Sequence, residues 1–285
     1  MGAEKQVALV TGASSGIGRA TAAKLAEQGF QVIAAARRME RLEQLAREVK
    51  GIIPRQVDLA DPEDVENFCR YIGELDDPVG VLVNNAGYSI RGALEDVIID
   101  AARRLYQVNV FSLMRVTQAC LPGMRKMRKG TVVNLSSVVG KLAFPLSGVY
   151  ASTKYAVEGI TDALRVEVRP FGIRVVAIRP GFIATEFNEV GNEMTGNLME
   201  RTDPEYQALY AASGAAVGKL FVDATVPGPD LIGDIIVEAV LSENPKAVYW
   251  GGFMSEEWLQ ARAGKNDEEF SRYLAETTGL HDLKV

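Results

Sequence analysis

Tyr150 and Lys154 form a Tyr-x-x-x-Lys pair, and Ser137 stands upstream of them. In a helix, residues four apart share a face, so the lysine ammonium can sit beside the phenol. A free phenol titrates at about 10. A nearby cation favours the phenolate and draws that value toward neutrality, which makes the tyrosine a usable general acid or base. A serine hydroxyl can hydrogen-bond an oxygen on which charge is developing. The chemistry such a trio would serve is carbonyl reduction or its reverse. On its own, a Tyr and a Lys one turn apart are common on surface helices, so the elements around them must decide.

The start of the chain agrees. Residues 6–10, Gln-Val-Ala-Leu-Val, read as a short buried strand. They lead into Thr11-Gly12-Ala13-Ser14-Ser15-Gly16-Ile17-Gly18, and then into a helix ended by Gly29. Strand, glycine-rich turn and helix present backbone N–H groups and a helix N-terminus to a diphosphate. Gly12 permits the tight turn, Gly16 the close approach of a ligand, and Gly18 the packing of helix on strand.

With these residues in view, the sequence resembles the short-chain dehydrogenase/reductase family. The resemblance rests on the glycine turn, Asp58, Asn84-Asn85-Ala86-Gly87, Asn109, Ser136-Ser137, Tyr150-x-x-x-Lys154, and Pro180-Gly181 followed by Thr185. It covers residue 6 to about 185; the last hundred residues carry the family's rhythm but no motif. It implies an α/β fold: a single Rossmann-type doubly wound domain, with a seven-stranded parallel sheet ordered 3-2-1-4-5-6-7 and helices on both faces.

Composition fits one such unit across 1–285. Hydrophobic content of 47% supports a large core, and no linker, low-complexity tract or repeat divides the chain. The first strand begins by Gln6, leaving no room for a signal peptide, and no apolar stretch approaches the roughly 20 residues that span a bilayer. Cys69 and Cys120 read as buried free thiols, consistent with a reducing, cytoplasmic setting. A net charge of −6 argues against general nucleic-acid binding. The run Arg125 to Lys129 falls in the last turn of a helix before Gly130, where cations complement the dipole. His281 is the single histidine, so no metal cluster or histidine triad is expected.

Alternation of strands and helices predicts a covered parallel sheet. Strands are expected at 6–11, 31–36, 53–58, 81–85, 131–135, 174–179 and 247–250. Helices are expected at 17–28, 39–49, 62–75, 100–127, 150–169, 230–242 and 256–275. Residues 186–229 have no strand period and read as a substrate lid; 230–285 follow as a helix and strand extension.

The end of the second strand reports on cofactor choice. An acidic residue there would bond the ribose 2′-hydroxyl of NAD and repel a 2′-phosphate. Ala36 occupies that position and Arg37-Arg38 follow, so NADP(H) is expected rather than NAD(H), with Arg37 as the clamp and Arg38 assisting. Two solvated charges at a helix start are the alternative. Ser14 and Ser15 replace the basic residue found in the glycine turn of many NADP-using relatives, and could bond the phosphate themselves. By resemblance Asp58 meets the adenine amino group, although a carboxylate there also suits a cap. Asn85, Ala86 and Gly87 line the adenosine ribose, in a motif that is largely structural.

The resemblance also assigns the reaction. Tyr150 exchanges a proton with the substrate oxygen, Ser137 holds that oxygen, and Lys154 lowers the phenol pKa and anchors the nicotinamide ribose. Asn109 distorts its helix and holds a water on a proton path. Pro180, Gly181, Ile183 and Thr185 cradle the carboxamide. The pocket is expected to be lined by Tyr88, Val138, Val139, Leu142, Phe144, Phe182 and Phe187, which suits an apolar ketone, aldehyde or alcohol. Lys141 and Arg91 read either as surface charge or as receivers of a substrate anion. Trp250, Phe253, Met254 and Trp258 read as pocket rim or subunit contact. The family's homodimers and homotetramers form through the helices placed at 100–127 and 150–169, where Val110, Leu113, Val116, Val157 and Leu164 are apolar. A non-catalytic NADP(H) sensor and an epimerase or dehydratase of the extended type are the alternatives; the intact Tyr–Lys pair and the glycine spacing oppose them.

Overall fold

Alternation within the first strand shows how the fold is built. In β1 (Val7–Thr11), Ala8 and Val10 point to one face of the sheet, and Val7 and Leu9 to the other. Both sets are buried, as a parallel strand covered on both sides requires. The computed structural model describes residues 6–187 and 203–283.

Seven strands pair in parallel in the order β3-β2-β1-β4-β5-β6-β7. The others are β2 (Gln31–Ala36), β3 (Ile52–Gln56), β4 (Val79–Asn84), β5 (Gly130–Leu135), β6 (Ile173–Pro180) and β7 (Val248–Gly251). On one face lie α1 (Gly16–Glu27), α2 (Met39–Glu48) and α8 (Asp230–Leu241), packing Leu25, Leu42, Ile232 and Ile236 on Ala8, Val10 and Val176. On the other lie α3 (Pro62–Gly73), α5 (Leu113–Met127) and α6 (Gly148–Val168), packing Phe68, Val116, Met124 and Leu164 on Leu9, Leu82 and Val175. Helix α3 starts as its sequence dictates: Asp61 accepts from the Glu63 N–H, and Pro62 follows at the first helical position.

Two expectations change. The helix read at 100–127 is α4 (Ile99–Tyr106), a π turn (Gln107–Ser112) and then α5. The helix read at 256–275 is α9 (Ser255–Ala263) and α10 (Asp267–Thr277), divided where Asn266 and Glu269 form a capping box. Within the stretch read as a lid, residues 207–220 form α7 (Gln207–Leu220), and residues 188–202 lie outside the described residues. The apolar side chains considered for subunit contact, Val110, Leu113, Val116, Val157 and Leu164, are all buried within the chain. Among the described residues, no helix is long and apolar enough to cross a membrane.

Candidate active site

The carboxyl ends of β1, β4, β5 and β6 meet along one edge of the sheet, where an open α/β sheet presents its crevice. A cavity of about 350 Å³ opens there, lined by Gly12, Asn85, Ser136, Ser137 and Gly181 just beyond those strand ends.

The glycine turn is shaped for a tight approach. Gly12 has φ +67°, and a Cβ on Gly18 would stand 2.4 Å from the Gly12 carbonyl oxygen. Asn85 holds the turn from β4: its Nδ2 donates to the Thr11 carbonyl at 2.9 Å, and its N–H donates to Thr11 Oγ1 at 3.1 Å. Helix α1 begins with no side chain capping its amides, and no acidic residue lies in its first turn. Those uncapped N–H groups, with Gly16 open to the cavity and facing Thr185, fit a diphosphate. Ser15, Ile17, Ala86, Gly87, Pro180 and Ile183 also line the cavity.

Beside this turn Arg38 donates to Ser15 Oγ at 2.7 Å and to Ser14 Oγ at 3.3 Å. It also holds Glu186 at 3.1 Å, and Arg41 reaches the same carboxylate at 2.7 and 2.9 Å. Arg38 is the residue before α2, so Arg41 three positions on shares its side of the helix, while Arg37 is exposed. The serines therefore accept from Arg38. Asp58 accepts from the Ala60 N–H at 2.9 Å, which is the capping role, and does not line the cavity.

At the other end of the crevice, α6 carries Tyr150 and Lys154 on one face, and Ser137 follows β5. All three line the cavity. Lys154 is 5% exposed and donates to the Leu135 carbonyl at 2.8 Å, with its Nζ 5.9 Å from the centroid of the Tyr150 ring. Burial lowers its pKa to about 8, with Glu158 one turn further along acting in the opposite sense. Burial raises the Tyr150 phenol, and it is the hydrogen bond with Ser137 that counters it. Buried Asn109 stands in the π turn; its Nδ2 donates to the Tyr88 carbonyl at 3.0 Å and to Thr153 Oγ1 at 3.1 Å, and its Oδ1 accepts from the Tyr88 N–H.

The outer pocket is aromatic. Phe144 and Phe182 meet Trp258 edge-on at 4.6 and 5.2 Å between ring centroids, and Phe221 meets Phe182 at 4.7 Å. Val138, Val139 and Phe187 complete the expected lining. Tyr88 and Leu142 do not join it. Tyr88 packs in the core with Ile90, Val97 and Leu105, and Leu142 packs behind the pocket wall against Ala151 and Trp258. Ser213, Val217, Leu220 and Phe221 were not anticipated; they lie in or just after α7, whose small residues gave no directional signal. Lys141 is drawn away to Glu158 at 3.3 Å.

A family model for short chain dehydrogenase matches residues 6–196. The chain is 35% identical over 208 residues to a 3-ketodihydrosphingosine reductase of Bacteroides thetaiotaomicron, covering 72% of this chain and 75% of that one. A short-chain dehydrogenase from Streptomyces avermitilis superposes with a TM-score of 0.76 at 30% identity, covering 98% of this chain and 99% of that one. An alcohol dehydrogenase from the archaeon Thermococcus sibiricus, complexed with 5-hydroxy-NADP, superposes with a TM-score of 0.69 at 25% identity, covering 87% and 97%.

Proposed function

Because the chain belongs to the short-chain dehydrogenase family, we propose that this oxidoreductase uses NADP(H) to interconvert an apolar ketone or aldehyde and the corresponding alcohol. The observation that carries this reading is the meeting of Ser137, Tyr150 and Lys154 in one cavity that runs from the glycine turn to an aromatic pocket. The uncapped α1 amides, Gly16 and Thr185 would hold the diphosphate, with Pro180, Gly181 and Ile183 at the carboxamide. Arg38 and Arg41 would receive a 2′-phosphate. When bound, the nicotinamide supplies or accepts the hydride.

Tyr150 gives its phenol proton to the carbonyl oxygen in reduction and removes the hydroxyl proton in oxidation. Its raised pKa keeps that proton in place until the oxygen gains charge. Ser137 steadies the same oxygen by a hydrogen bond. Lys154, held by the Leu135 carbonyl, anchors the nicotinamide ribose and supplies positive charge beside the phenol. Asn109 ties Tyr88 to Thr153 and sets the bend that completes the proton path.

The cavity lining from Phe187, Ser213 and Phe221 supports a lid role for 186–229, and Trp258 supports closure of the pocket by the segment 230–285, within one NADP-binding unit. We place the protein in the cytoplasm as a homodimer or homotetramer. Phe111, Met114, Tyr155 and Val166, exposed on the π turn, α5 and α6, support an association through those helices. The test is loss of NADPH and NADH absorbance with a panel of apolar ketones and aldehydes. NADPH turnover on at least one substrate is expected. A protein that binds NADPH and leaves every carbonyl intact overturns the reading.

A further inference from the structure

Three residues that line the cavity carry full charge: Arg91, Lys154 and Glu186. Lys154 is hydrogen-bonded at the reaction centre, and Glu186 is held by two arginines. Among the described residues, Arg91 has no carboxylate and no hydrogen-bond partner. Elsewhere in the chain Arg19, Arg115, Arg165 and Arg262 each hold an acidic side chain.

Its placement is built. Arg91 follows buried Ile90 and precedes Gly92, whose N–H donates to the Leu146 carbonyl at 2.8 Å. The next N–H, of Ala93, donates to the Tyr210 hydroxyl of α7 at 2.8 Å. Ser213 is three residues beyond Tyr210, on the same side of that helix, so α7 brings it to the same loop. Ser213 is 2% exposed and Ser89 is 9% exposed; both line the cavity, and neither hydroxyl has a protein partner among the described residues. Both hydroxyls open to the cavity that Arg91 also lines, so the three offer unpartnered donors to a ligand that enters it.

We infer that Arg91, Ser89 and Ser213 form an anion-binding end of the substrate pocket, and that the substrate carries a carboxylate or phosphate on its apolar body. This deepens the reductase reading and rests on it for the word substrate. Arg91 keeps solvent contact, yet protein crowds its guanidinium enough to lower its pKa, and no acidic group acts in return. An arriving anion would take up the fork in a charge-assisted pair, and the two hydroxyls would fill the remaining acceptor sites. The aromatic wall from Phe144 to Trp258 would hold the chain between that end and Tyr150.

Binding can be measured apart from turnover, because Trp258 lines the cavity and its fluorescence reports occupancy. The probes are a medium-chain fatty carboxylate, the alkyl phosphate, the methyl ester and the amine of equal length. The carboxylate, the phosphate or both are expected to bind about tenfold tighter than the ester and the amine, the scale of a charged hydrogen bond. Which anion binds tighter identifies the group. Arg91→Met is expected to erase the preference, and a circular dichroism spectrum and urea midpoint like those of the wild type show that the variant is folded. Arg91→Lys should restore part of it, and the double variant Ser89→Ala/Ser213→Ala should weaken it by several-fold. Equal binding of acid and ester, tighter binding of the amine, or a preference that survives Arg91→Met each overturns the inference. Failure of the reductase reading would appear in the NADPH assay and leave these affinities standing.

Discussion

The Glu186 carboxylate is gripped by Arg41 through two contacts, at 2.7 and 2.9 Å, and Arg38 holds it from the side of the glycine turn. These two arginines lower the pKa of Glu186, with Arg41 the larger influence. A carboxylate on the guanidinium pair proposed for the cofactor phosphate must give way when that phosphate arrives. Glu186→Gln is therefore expected to tighten NADPH binding by about threefold to tenfold, given the modest worth of part-exposed ion pairs. NADH affinity should stay flat. Fluorescence titration with both cofactors checks this, and equal gains for the two would remove Glu186 from any role in discrimination.

Tyr150→Phe removes the proton donor and leaves the ring. Turnover is expected to fall by about 10²- to 10⁴-fold, the usual share of a general acid, with NADPH affinity nearly unchanged. If single-turnover rates in the variant match wild type, the proton comes from elsewhere.

Lys154 titrates near 10.5 unfolded and about 8 folded, because burial opposes its charge. Between those values the unfolded chain holds more protons, so stability rises with pH across that window and the full penalty stands below pH 8. Lys154→Met should thus raise the unfolding free energy at pH 7 by about 2 kcal/mol, after loss of the Leu135 hydrogen bond, while abolishing activity. Urea melts at pH 7 and at pH 10.5 give the comparison. A gain of the same size at both would show that packing, rather than charge, is responsible.

Glu158 is almost fully buried and accepts two hydrogen bonds from Arg179, at 2.8 and 2.7 Å, with Lys141 at 3.3 Å as its outer partner. Arg179→Met strips away the close partner and is expected to cost about 3–5 kcal/mol. The double variant Glu158→Leu/Arg179→Met should recover part of that, since no unpaired buried carboxylate then remains, while Lys141 and Lys154 lose its charge. Chemical denaturation of the set measures both, and a double variant no better than the single would contradict this account of the cluster.

What was legible in the sequence was what neighbouring residues determine. Val7 to Thr11 with the glycine turn announced β1 and α1, and Asp61-Pro62 announced α3, because their signals lie within a few positions. The break at 107–112 does not show in the apolar period, which runs through it; only the family resemblance places a distortion at Asn109, where the π turn lies. Asn109 is held there by Tyr88 and Thr153, remote in sequence. The meeting of Arg38 and Arg41 depends on where α2 begins, and Glu186 comes to both from far along the chain. Tyr88 and Leu142 misled because an apolar side chain next to a motif can face the core as readily as the cavity. The divided C-terminal helix has a local signal, because Asn266 and Glu269 spell a capping box inside a helical period.

The strand-like exchange between Phe182 and Phe253, each N–H to the other's carbonyl at 3.0 Å, fastens the floor of the pocket to the segment after β7. Through that seam Trp258 reaches the cavity, and from α7 and its end come Ser213 and Phe221. The crevice therefore has two lineages of parts. Ser137, Tyr150 and Lys154 come from the half before residue 186, and the pocket wall is shared, with Phe144 and Phe182 from that half and Ser213, Phe221 and Trp258 from the other. A change after residue 186 can therefore reshape one wall of the pocket without touching Ser137, Tyr150 or Lys154.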